Sequence, residues 1–322
     1  MPEKRQTALD SVWKKLDGQA DSVAAGGVEA IEQALGAVAG IVEETLGRLL
    51  PTALGAERRV TEAMSYATLG GGKRIRPFLV LAGSRLFGVA PENALRVAAA
   101  IEIVHCYSLA HDDLPAMDNA DLRRGRPTVH KKFDQATSIL AGDGLLTLAF
   151  EVLAEPATHD DAAVRADLVL SLAQAAGWAG MVGGQMIDLQ AEHAKLDLDA
   201  IKRLQRLKTG ALIGFSCTAG AILGRAEGKA KAALASYAED LGLAFQIVDD
   251  LLDTEGNAAA IGKPVGQDQA MGKATFVSLL GLKGAREEAN RLSAAAIERL
   301  AGLGPVADPL RAMSHFVVKR GH

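Results

Sequence analysis

Hydrophobic residues recur with a helical period along most of the chain. From Val28 they occur every three or four residues, through Ile31, Leu35 and Val38, until Pro51 interrupts the pattern. This spacing places apolar side chains on one face of an α-helix. Comparable stretches lie at about 55–68, 76–87, 92–112, 133–154, 161–176, 178–192, 198–222, 229–254, 273–282, 284–302 and 308–320. No stretch alternates with period two for long enough to predict a strand, so we expect an all-α fold of about 10 to 13 helices.

The chain divides into a short extension and one domain. Residues 1–27 are polar and end in Gly26–Gly27, which predicts an accessory N-terminal extension. Residues 28–322 contain no repeat, linker or change of composition, and we interpret them as a single all-helical domain. A composition of 49% hydrophobic but only 4% aromatic residues favours closely packed helices over a β-sandwich.

Charge and cysteine content exclude some classes of function. The net charge of −4 gives no indication of a nucleic-acid or anionic-membrane partner. Cys106 and Cys217 have no metal-binding or CxxC spacing, and we expect free, buried thiols in a reducing cytosol. The N-terminal residues lack the apolar core of a secretory signal, which also favours a cytoplasmic protein.

One uncharged segment is long enough to cross a bilayer. Leu168–Ile187 spans twenty residues without a charge, but it contains Ser171, Gln174, Gln185 and four glycines, and Asp188 follows directly. We therefore expect a buried core helix here, and a chain that is not an integral membrane protein.

A first acidic cluster follows the apolar stretch 92–112. The sequence "HDDLPAMDNADLRRG" (111–125) contains Asp112, Asp113 and Asp118. Pro115 disfavours helix at Leu114, so the chain should unwind beyond Asp113 and bring Asp118 back beside Asp112. Solvated acids at a helix end are the alternative, but carboxylates there oppose the helix dipole. Mg²⁺, which prefers oxygen ligands, would remove that conflict.

A second acidic cluster lies inside an apolar helix, in "AFQIVDDLLD" (244–253). Asp249 and Asp253 are four residues apart and share one helix face, and Asp250 lies about 100° round. Uncompensated carboxylates in such a helix would cost several kcal/mol each, which again predicts a cation.

The basic stretch "GGGKRIRP" (70–77) favours a polyanion. Lys73, Arg74 and Arg76 follow glycines near a predicted helix start, where backbone N–H groups are accessible. It is not a Walker A loop, because Arg74 replaces the required Ser or Thr, and "GQDQAMGKAT" (266–275) also departs from that motif. Nucleotide binding is therefore not predicted, and a surface turn is the alternative.

Together these motifs resemble those of the trans-isoprenyl diphosphate synthase (polyprenyl synthetase) family. The resemblance runs from about residue 40 to the C-terminus and includes GGKRIRP (71–77), DDLPAMD (112–118), RRG (123–125), ILAGD (139–143), KTG (208–210) and DDLLD (249–253). It implies a homodimer whose helices surround a deep central cavity, with the acidic motifs facing each other across the mouth.

The resemblance also implies the chemistry: Mg²⁺-dependent head-to-tail condensation of isopentenyl diphosphate with dimethylallyl or geranyl diphosphate. Three Mg²⁺ ions, for which Mn²⁺ could substitute, are expected on Asp112, Asp118 and Asp249. The catalytic set implied is Asp112, Asp113, Asp118, Arg123, Lys208, Asp249, Asp250 and Lys263. The allylic diphosphate would contact Arg123, Lys208, Thr209, Gln246 and Lys263, with Lys273 nearby, and isopentenyl diphosphate would contact Lys73, Arg76, His105 and Arg124.

Product length is expected to depend on residues before Asp112. Ser108 and Tyr107 lie four and five residues back, about 6 and 7–8 Å deeper along a helix. In related enzymes a bulky residue at this level accompanies a farnesyl product, so Tyr107 favours fifteen carbons. Asn119 and Ala120 replace acids found in close relatives and resemble some geranylgeranyl synthases, so a geranylgeranyl product is the alternative.

Other classes fit these motifs less well. A terpene cyclase would lack the Gly-Gly-Lys-Arg segment and carry a different second acidic motif, and a non-catalytic subunit would have lost one acidic motif. A di-iron bundle is suggested by Glu102-x-x-His105, but it needs a second Glu-x-x-His, which the sequence does not contain.

Overall fold

The computed structural model describes residues 2–16, 28–191, 196–226, 228–256 and 275–320. Its helices are α1 (Pro2–Leu16), α2 (Glu29–Leu49), α3 (Arg58–Thr68), α4 (Ile75–Arg85), α5 (Pro91–Asp112), α6 (Val129–Lys132), α7 (Gln135–Ala154), α8 (Ala162–Ala176), α9 (Met181–Ala191), α10 (Leu198–Gln205), α11 (Ala211–Leu223), α12 (Lys229–Glu255), α13 (Phe276–Arg299) and α14 (Asp308–Lys319). A π-helical turn, Arg206–Gly210, joins α10 to α11. The prediction of an all-α fold is confirmed.

The described residues contain one small sheet, which the hydrophobic pattern did not predict. Strands β1 (Leu122–Arg123) and β2 (Arg126–Pro127) pair antiparallel. Arg124 and Gly125 between them have φ of +52° and +72°, as a two-residue hairpin turn requires. Strands this short leave no period-two pattern in the sequence, and their function is local: they hold the arginines after the first acidic cluster.

Helix α5 runs through the middle of the core. It is apolar on most faces, and residues such as Leu95, Ile101 and Val104 are fully buried. Helices α2, α3, α4, α7 and α11 all pack against it. The acidic residues at its C-terminal end therefore lie where the core opens toward solvent.

Helix α12 carries the second acidic cluster and packs against α11, α13 and α14. Its apolar residues Leu241, Ile247 and Leu251 are buried, which fixes the rotation of the helix and hence the direction of its aspartates. Helix α13 has a non-helical residue, Gly281 (φ +68°), near the end of the predicted stretch 273–282.

The first helix of the predicted extension packs on the domain. In α1, Leu9, Val12 and Trp13 are buried, and the ring of Trp13 meets that of Phe78 edge-on at 5.7 Å. Arg5 forms a two-pronged ion pair with Glu92 at the start of α5. Residues 17–27 lie outside the described residues, so the domain boundary at residue 27 stays a prediction.

The uncharged segment 168–187 is divided between two helices, as the predicted stretches 161–176 and 178–192 indicate, but it is not buried throughout as expected. A turn at 177–180 separates α8 from α9. Leu170, Trp178, Val182 and Met186 are exposed, so this segment has an apolar surface face. Among the described residues, only α7 is long and apolar enough to cross a membrane by composition; half of that stretch is buried inside the protein, which makes it weak evidence for a span.

Candidate active site

A cavity of about 530 Å³ contains side chains from most of the motifs. Its predicted site residues are Arg76, His105, Tyr107, Ser108, Asp112, Asp118, Lys208, Thr209, Gln246, Asp249 and Asp250. These residues come from α4, α5 and its following turn, the π-helical turn and α12. Segments more than a hundred residues apart in sequence thus contribute to one cavity.

The first acidic cluster turns back on itself, as Pro115 predicted. The helix ends at Asp112, and the N–H of Asp118 donates to the carbonyl of Asp112 at 2.8 Å. The N–H of Ala120 donates to the carbonyl of Asp113 at 3.1 Å, which closes the turn. Burial, with repulsion from Asp118, raises the pKa of Asp112 to about 6. The nearby Lys208 ammonium opposes that rise in pKa, so positive charge in the cavity favours the anionic form of Asp112.

Asp113 has a different environment from Asp112. It is buried, does not line the large cavity, and accepts hydrogen bonds from Nε and Nη2 of Arg123 at 2.7 and 2.6 Å. Burial raises the pKa of Asp113, and the Arg123 guanidinium opposes that rise. Asp113 thus holds Arg123 beside the acidic turn.

The second acidic cluster contributes three carboxylates to the cavity wall: Asp249, Asp250 and Asp253. Asp249 accepts a 2.6 Å hydrogen bond from Arg320 at the C-terminal end of α14. Asp250 is buried and accepts from the Phe276 N–H at 2.9 Å and from Gln246 Nε2 at 3.1 Å. Asp250 therefore anchors the start of α13 and orients Gln246 from within the wall.

The π-helical turn carries Lys208 and Thr209 into the cavity. One extra residue in the turn changes the direction of these side chains, and such bulges are common at functional sites. The Lys208 ammonium pairs with Asp188 at 2.6 Å, and the Thr209 hydroxyl donates to Gln246 Oε1 at 3.2 Å. A Cβ on Gly184 would lie 2.2 Å from the main-chain nitrogen of Lys208, so only glycine allows α9 to approach the turn this closely.

The glycine-rich stretch forms a loop that holds two cations near the cavity. Gly72 has φ of +122°, and a Cβ there would lie 2.7 Å from the Arg124 guanidinium carbon. Arg124 also donates to the carbonyl of Gly71. Lys73 as a whole is exposed, but partial desolvation of its ammonium, together with repulsion from Arg320, lowers its pKa.

Arg76 and His105 lie side by side in a desolvated part of the cavity wall. Burial lowers the pKa of Arg76, and burial together with Arg76 and Arg124 holds the pKa of His105 well below its usual range. His105 is thus a neutral imidazole at pH 7. Within the described residues, Arg76 Nε and Gln185 Nε2 are buried donors without a hydrogen-bond acceptor. Buried orphan donors beside a cavity suit an anionic ligand.

Tyr107 and Ser108 line the cavity on the side toward the core. Tyr107 is buried, and its ring packs edge-on against His111 at 5.8 Å. Burial raises the pKa of Tyr107 to about 12, so it is a neutral phenol. The Ser108 hydroxyl donates to the carbonyl of His105 at 2.9 Å. The bulk at this level is therefore the tyrosine ring.

The donor set of the cavity fits Mg²⁺. In the part of the chain that is described, no three His, Cys, Asp or Glu side chains converge to hold one ion unaided. Mg²⁺ usually takes one or two carboxylates and completes its octahedron with waters and substrate phosphate oxygens. Asp112 and Asp118 offer one such partial site, and Asp249 on α12 offers another in the same cavity. Glu102 of the di-iron alternative is instead bound by Arg74 at 2.6 Å.

Some of the predicted site residues do not line the large cavity, and the cavity contains residues that were not predicted. Lys263 and Lys273 lie outside the described residues. Lys73, Asp113, Arg123 and Arg124 are not in the wall of the large cavity; Asp113, Arg123 and Arg124 line a smaller neighbouring pocket of about 50 Å³. Asp253 and Arg320 were not predicted as site residues. The four-residue spacing had already placed Asp253 on the same helix face as Asp249, although no role was assigned to it, whereas no motif marks Arg320.

Comparisons with known proteins agree with this geometry. A family model described as "Polyprenyl synthetase" matches residues 57–302. The farnesyl diphosphate synthase of Escherichia coli is 46% identical over 268 residues, covering 81% of this chain and 89% of that protein. Geranylgeranyl pyrophosphate synthase 9, chloroplastic, of Arabidopsis thaliana is 42% identical over 268 residues, covering 81% of this chain and 74% of that protein. A crystal structure of an FPP/GFPP synthase from Zymomonas mobilis, in its apo form, is 49% identical with a TM-score of 0.83, covering 90% of this chain and 99% of that one.

Proposed function

Because this chain belongs to the polyprenyl synthetase family, we propose that it is a prenyltransferase that condenses isopentenyl diphosphate head-to-tail with dimethylallyl and geranyl diphosphate to give farnesyl diphosphate. One observation carries the proposal: a single cavity is lined by both acidic clusters, by Lys208 and Thr209, and by Arg76 and His105. Two anionic substrates and the cations that neutralise them could be held together there.

The acidic clusters and the π-helical turn hold the allylic diphosphate. Asp112, Asp118 and Asp249 would ligate Mg²⁺, in a proposed number of three, which on binding withdraws charge from the leaving diphosphate. Lys208 can exchange its contact with Asp188 for a diphosphate oxygen, and Thr209 and Gln246 can donate beside it. Arg123, which Asp113 holds in the smaller neighbouring pocket, is proposed to add a further cation beside this site.

The first bond to break is the allylic C–O bond, whose electron pair leaves with the diphosphate. Preorganised donors that face the growing negative charge lower this barrier. In the proposed arrangement Lys208, Thr209 and Arg123 are those donors from the chain. Lys263 and Lys273 are proposed to join them from the segment outside the described residues.

The second substrate is held by cations around His105. Lys73, Arg76 and Arg124 would bind its diphosphate, and neutral His105 can donate one N–H without adding charge. The C3–C4 double bond of isopentenyl diphosphate supplies the electron pair for the new C–C bond. The cation so formed then loses a proton to the released diphosphate, which is the proposed base, so no protein base is required.

The apolar wall keeps water away from the cationic intermediate. Leu109, Met181, Leu189 and Leu212 line the cavity beside the ionic residues. Water excluded from this region cannot quench an allylic cation. Tyr107 is proposed to end the space available to the growing chain at fifteen carbons; a geranylgeranyl product is the second candidate, favoured by Asn119 and Ala120.

A homodimer is supported by an apolar surface that continues into the cavity. Ile139, Leu140, Leu170, Trp178, Val182 and Met186 are exposed on α7, α8, the following turn and α9. Val182 and Met186 also line the cavity, although they are 49% and 55% exposed. A second copy on this surface would bury the patch and close that side of the wall.

A cytoplasmic location is proposed from the thiols. Cys106 and Cys217 are both free and buried. Burial raises the pKa of Cys106 to about 12 and raises that of Cys217 as well, so neither is a reactive thiolate. Two unpaired structural thiols are typical of a reducing compartment.

The proposed function is tested by condensation with defined primers. The purified protein is incubated with Mg²⁺, isopentenyl diphosphate, and dimethylallyl, geranyl or farnesyl diphosphate in turn, and the products are separated by chain length. We expect farnesyl diphosphate from the first two primers and little elongation of the third. Efficient elongation of farnesyl diphosphate would favour the longer product, and no condensation with any primer would contradict the proposal.

A further inference from the structure

Arg74 is a buried arginine with an unusual backbone conformation. It precedes α4 with φ of +48°, in the left-handed region that residues other than glycine rarely adopt. Its side chain is fully buried and points away from solvent. Nη1 donates to Glu102 at 2.6 Å, and Nη2 donates to the carbonyl of Thr68 at 2.7 Å. Strained backbone of this kind persists only where surrounding contacts impose it.

These contacts connect three helices next to the basic loop. Thr68 is the last residue of α3, Arg74 immediately precedes α4, and Glu102 is on α5. Glu102 is also three residues before His105, about one helical turn. Both the loop that carries the cations and the helix that carries His105 are therefore fixed to the same guanidinium.

The two other cations of the basic stretch, Lys73 and Arg76, are not directed inward as Arg74 is. Lys73 is exposed and Arg76 lines the cavity, whereas Arg74 is turned inward. The left-handed conformation of Arg74 turns the chain between Lys73, which faces solvent, and Arg76, which faces the cavity. A buried charge pair is costly to break from one side, since the remaining charge loses its closest partner. Arg74 Nη2 also lies 3.7 Å from Glu43 on α2, but Glu102 is the nearer and more deeply buried carboxylate.

We propose that the Arg74–Glu102 ion pair is a positioning device for the second-substrate site: it touches no substrate, but it sets where Lys73 and Arg76 lie relative to His105. This inference rests on the proposed function, because it takes that site to bind isopentenyl diphosphate. Glu102 thus acts through Arg74, and the basic motif contains one cation whose role is to orient the other two.

Glu102→Gln tests the proposal, because the amide keeps the shape of the side chain and removes its charge. The KM for isopentenyl diphosphate should rise about 10- to 100-fold, as expected for cations displaced by a fraction of an ångström to 1 Å. The KM for geranyl diphosphate should change less than about threefold. Arg74→Gln should give the same split, and the double variant should be no worse than either single one, since both remove one device.

Glu92→Gln is the matched control. Glu92 is on the same helix and also pairs with an arginine, Arg5 at 2.8 Å, but at the end far from the basic loop. Its loss should leave both KM values unchanged. If Glu102→Gln is not obtained folded, Arg74→Lys is tested for the same split between the two KM values, since it keeps the buried charge but loses the two-pronged geometry.

Three results would overturn the inference. They are an unchanged KM for isopentenyl diphosphate, an equal rise in both KM values, and additive effects in the double variant. Condensation by the unaltered protein is measured in parallel. Its absence would contradict the proposed function itself, whereas normal condensation with no split in KM would contradict only the role of Arg74 and Glu102.

Discussion

The main-chain N–H of Asp118 donates a 2.8 Å hydrogen bond to the carbonyl of Asp112, the last residue of α5. This contact folds the acidic cluster into a turn and places both carboxylates in the wall of the same cavity. Asp113, between them in sequence, instead binds Arg123. Neighbouring acids in one short motif thus have separate tasks: two face the cavity and one holds a cation beside it.

Tyr107→Ala should lengthen the product. Removing the ring opens space beside Ser108 along α5, so chains longer than fifteen carbons should accumulate from isopentenyl and geranyl diphosphate. Chromatography of the dephosphorylated products measures this directly. Tyr107→Phe keeps the ring and should leave the product distribution unchanged; an unaltered distribution in the alanine variant would mean that Tyr107 does not limit chain length.

Gly184→Ala should displace the π-helical turn. The added methyl would lie 2.2 Å from the main-chain nitrogen of Lys208, so α9 and the turn must separate. We expect kcat/KM for the allylic substrate to fall at least about tenfold and the free energy of unfolding to fall by about 1–3 kcal/mol.

Gly36→Ala provides the comparison for that variant. Gly36 is in α2, and a Cβ there meets nothing within 4 Å. Its replacement should keep full activity and stabilise the helix by up to about 1 kcal/mol. Equal behaviour of the two alanine variants in activity and in chemical denaturation would contradict the close approach at Gly184.

His105 should make the stability pH-dependent. Burial, with Arg76 and Arg124 nearby, holds its pKa well below 6.5 in the folded protein. The unfolded chain therefore binds a proton at higher pH than the folded one, and stability falls as the pH drops below about 6.5. Denaturation curves between pH 7.5 and 5 should be less pH-dependent for His105→Gln, by up to about 1.4 kcal/mol per pH unit. Identical slopes would show that His105 is not held neutral.

Trp178→Asp should dissociate the proposed dimer. Trp178 is 86% exposed within the apolar surface of α7 to α9, and a carboxylate buried against a second copy would be costly. Sedimentation velocity should show a dimer for the unaltered protein and a monomer for the variant. Leu54→Asp, at an even more exposed position outside this surface, should remain dimeric. A monomeric unaltered protein would exclude the surface as a homodimer interface.

The sequence predicted those parts of the site that depend on local pattern. Pro115 was sufficient to place Asp118 beside Asp112, because proline restricts the residue before it and ends the helix. The apolar residues around Asp249 likewise predicted a helix with carboxylates on one face. Each of these features follows from the chemistry of a few consecutive residues.

Other parts depend on contacts that no local pattern contains. Arg320 reaches Asp249 across 71 positions of sequence, and nothing in its surroundings distinguishes it from other C-terminal arginines. Arg74 reads as one more cation of the basic motif until its inward contact with Glu102 is seen. The π-helical turn at Lys208 is also invisible to periodicity, since its one-residue insertion is smaller than the uncertainty of a helix boundary.

The central claim is that Asp112 and Asp249 act together from two helices on one diphosphate. It is tested most directly by steady-state rates of Asp112→Asn, Asp249→Asn and Asp121→Asn with Mg²⁺, isopentenyl diphosphate and geranyl diphosphate. Asp121 belongs to the same acidic stretch but is exposed and pairs with Lys131 at 2.7 Å, outside the cavity. We predict that kcat falls at least about 10²–10³-fold in the first two variants, as for loss of direct transition-state stabilisation, and stays near normal in the third. Near-normal turnover in either Asp112→Asn or Asp249→Asn would contradict the account.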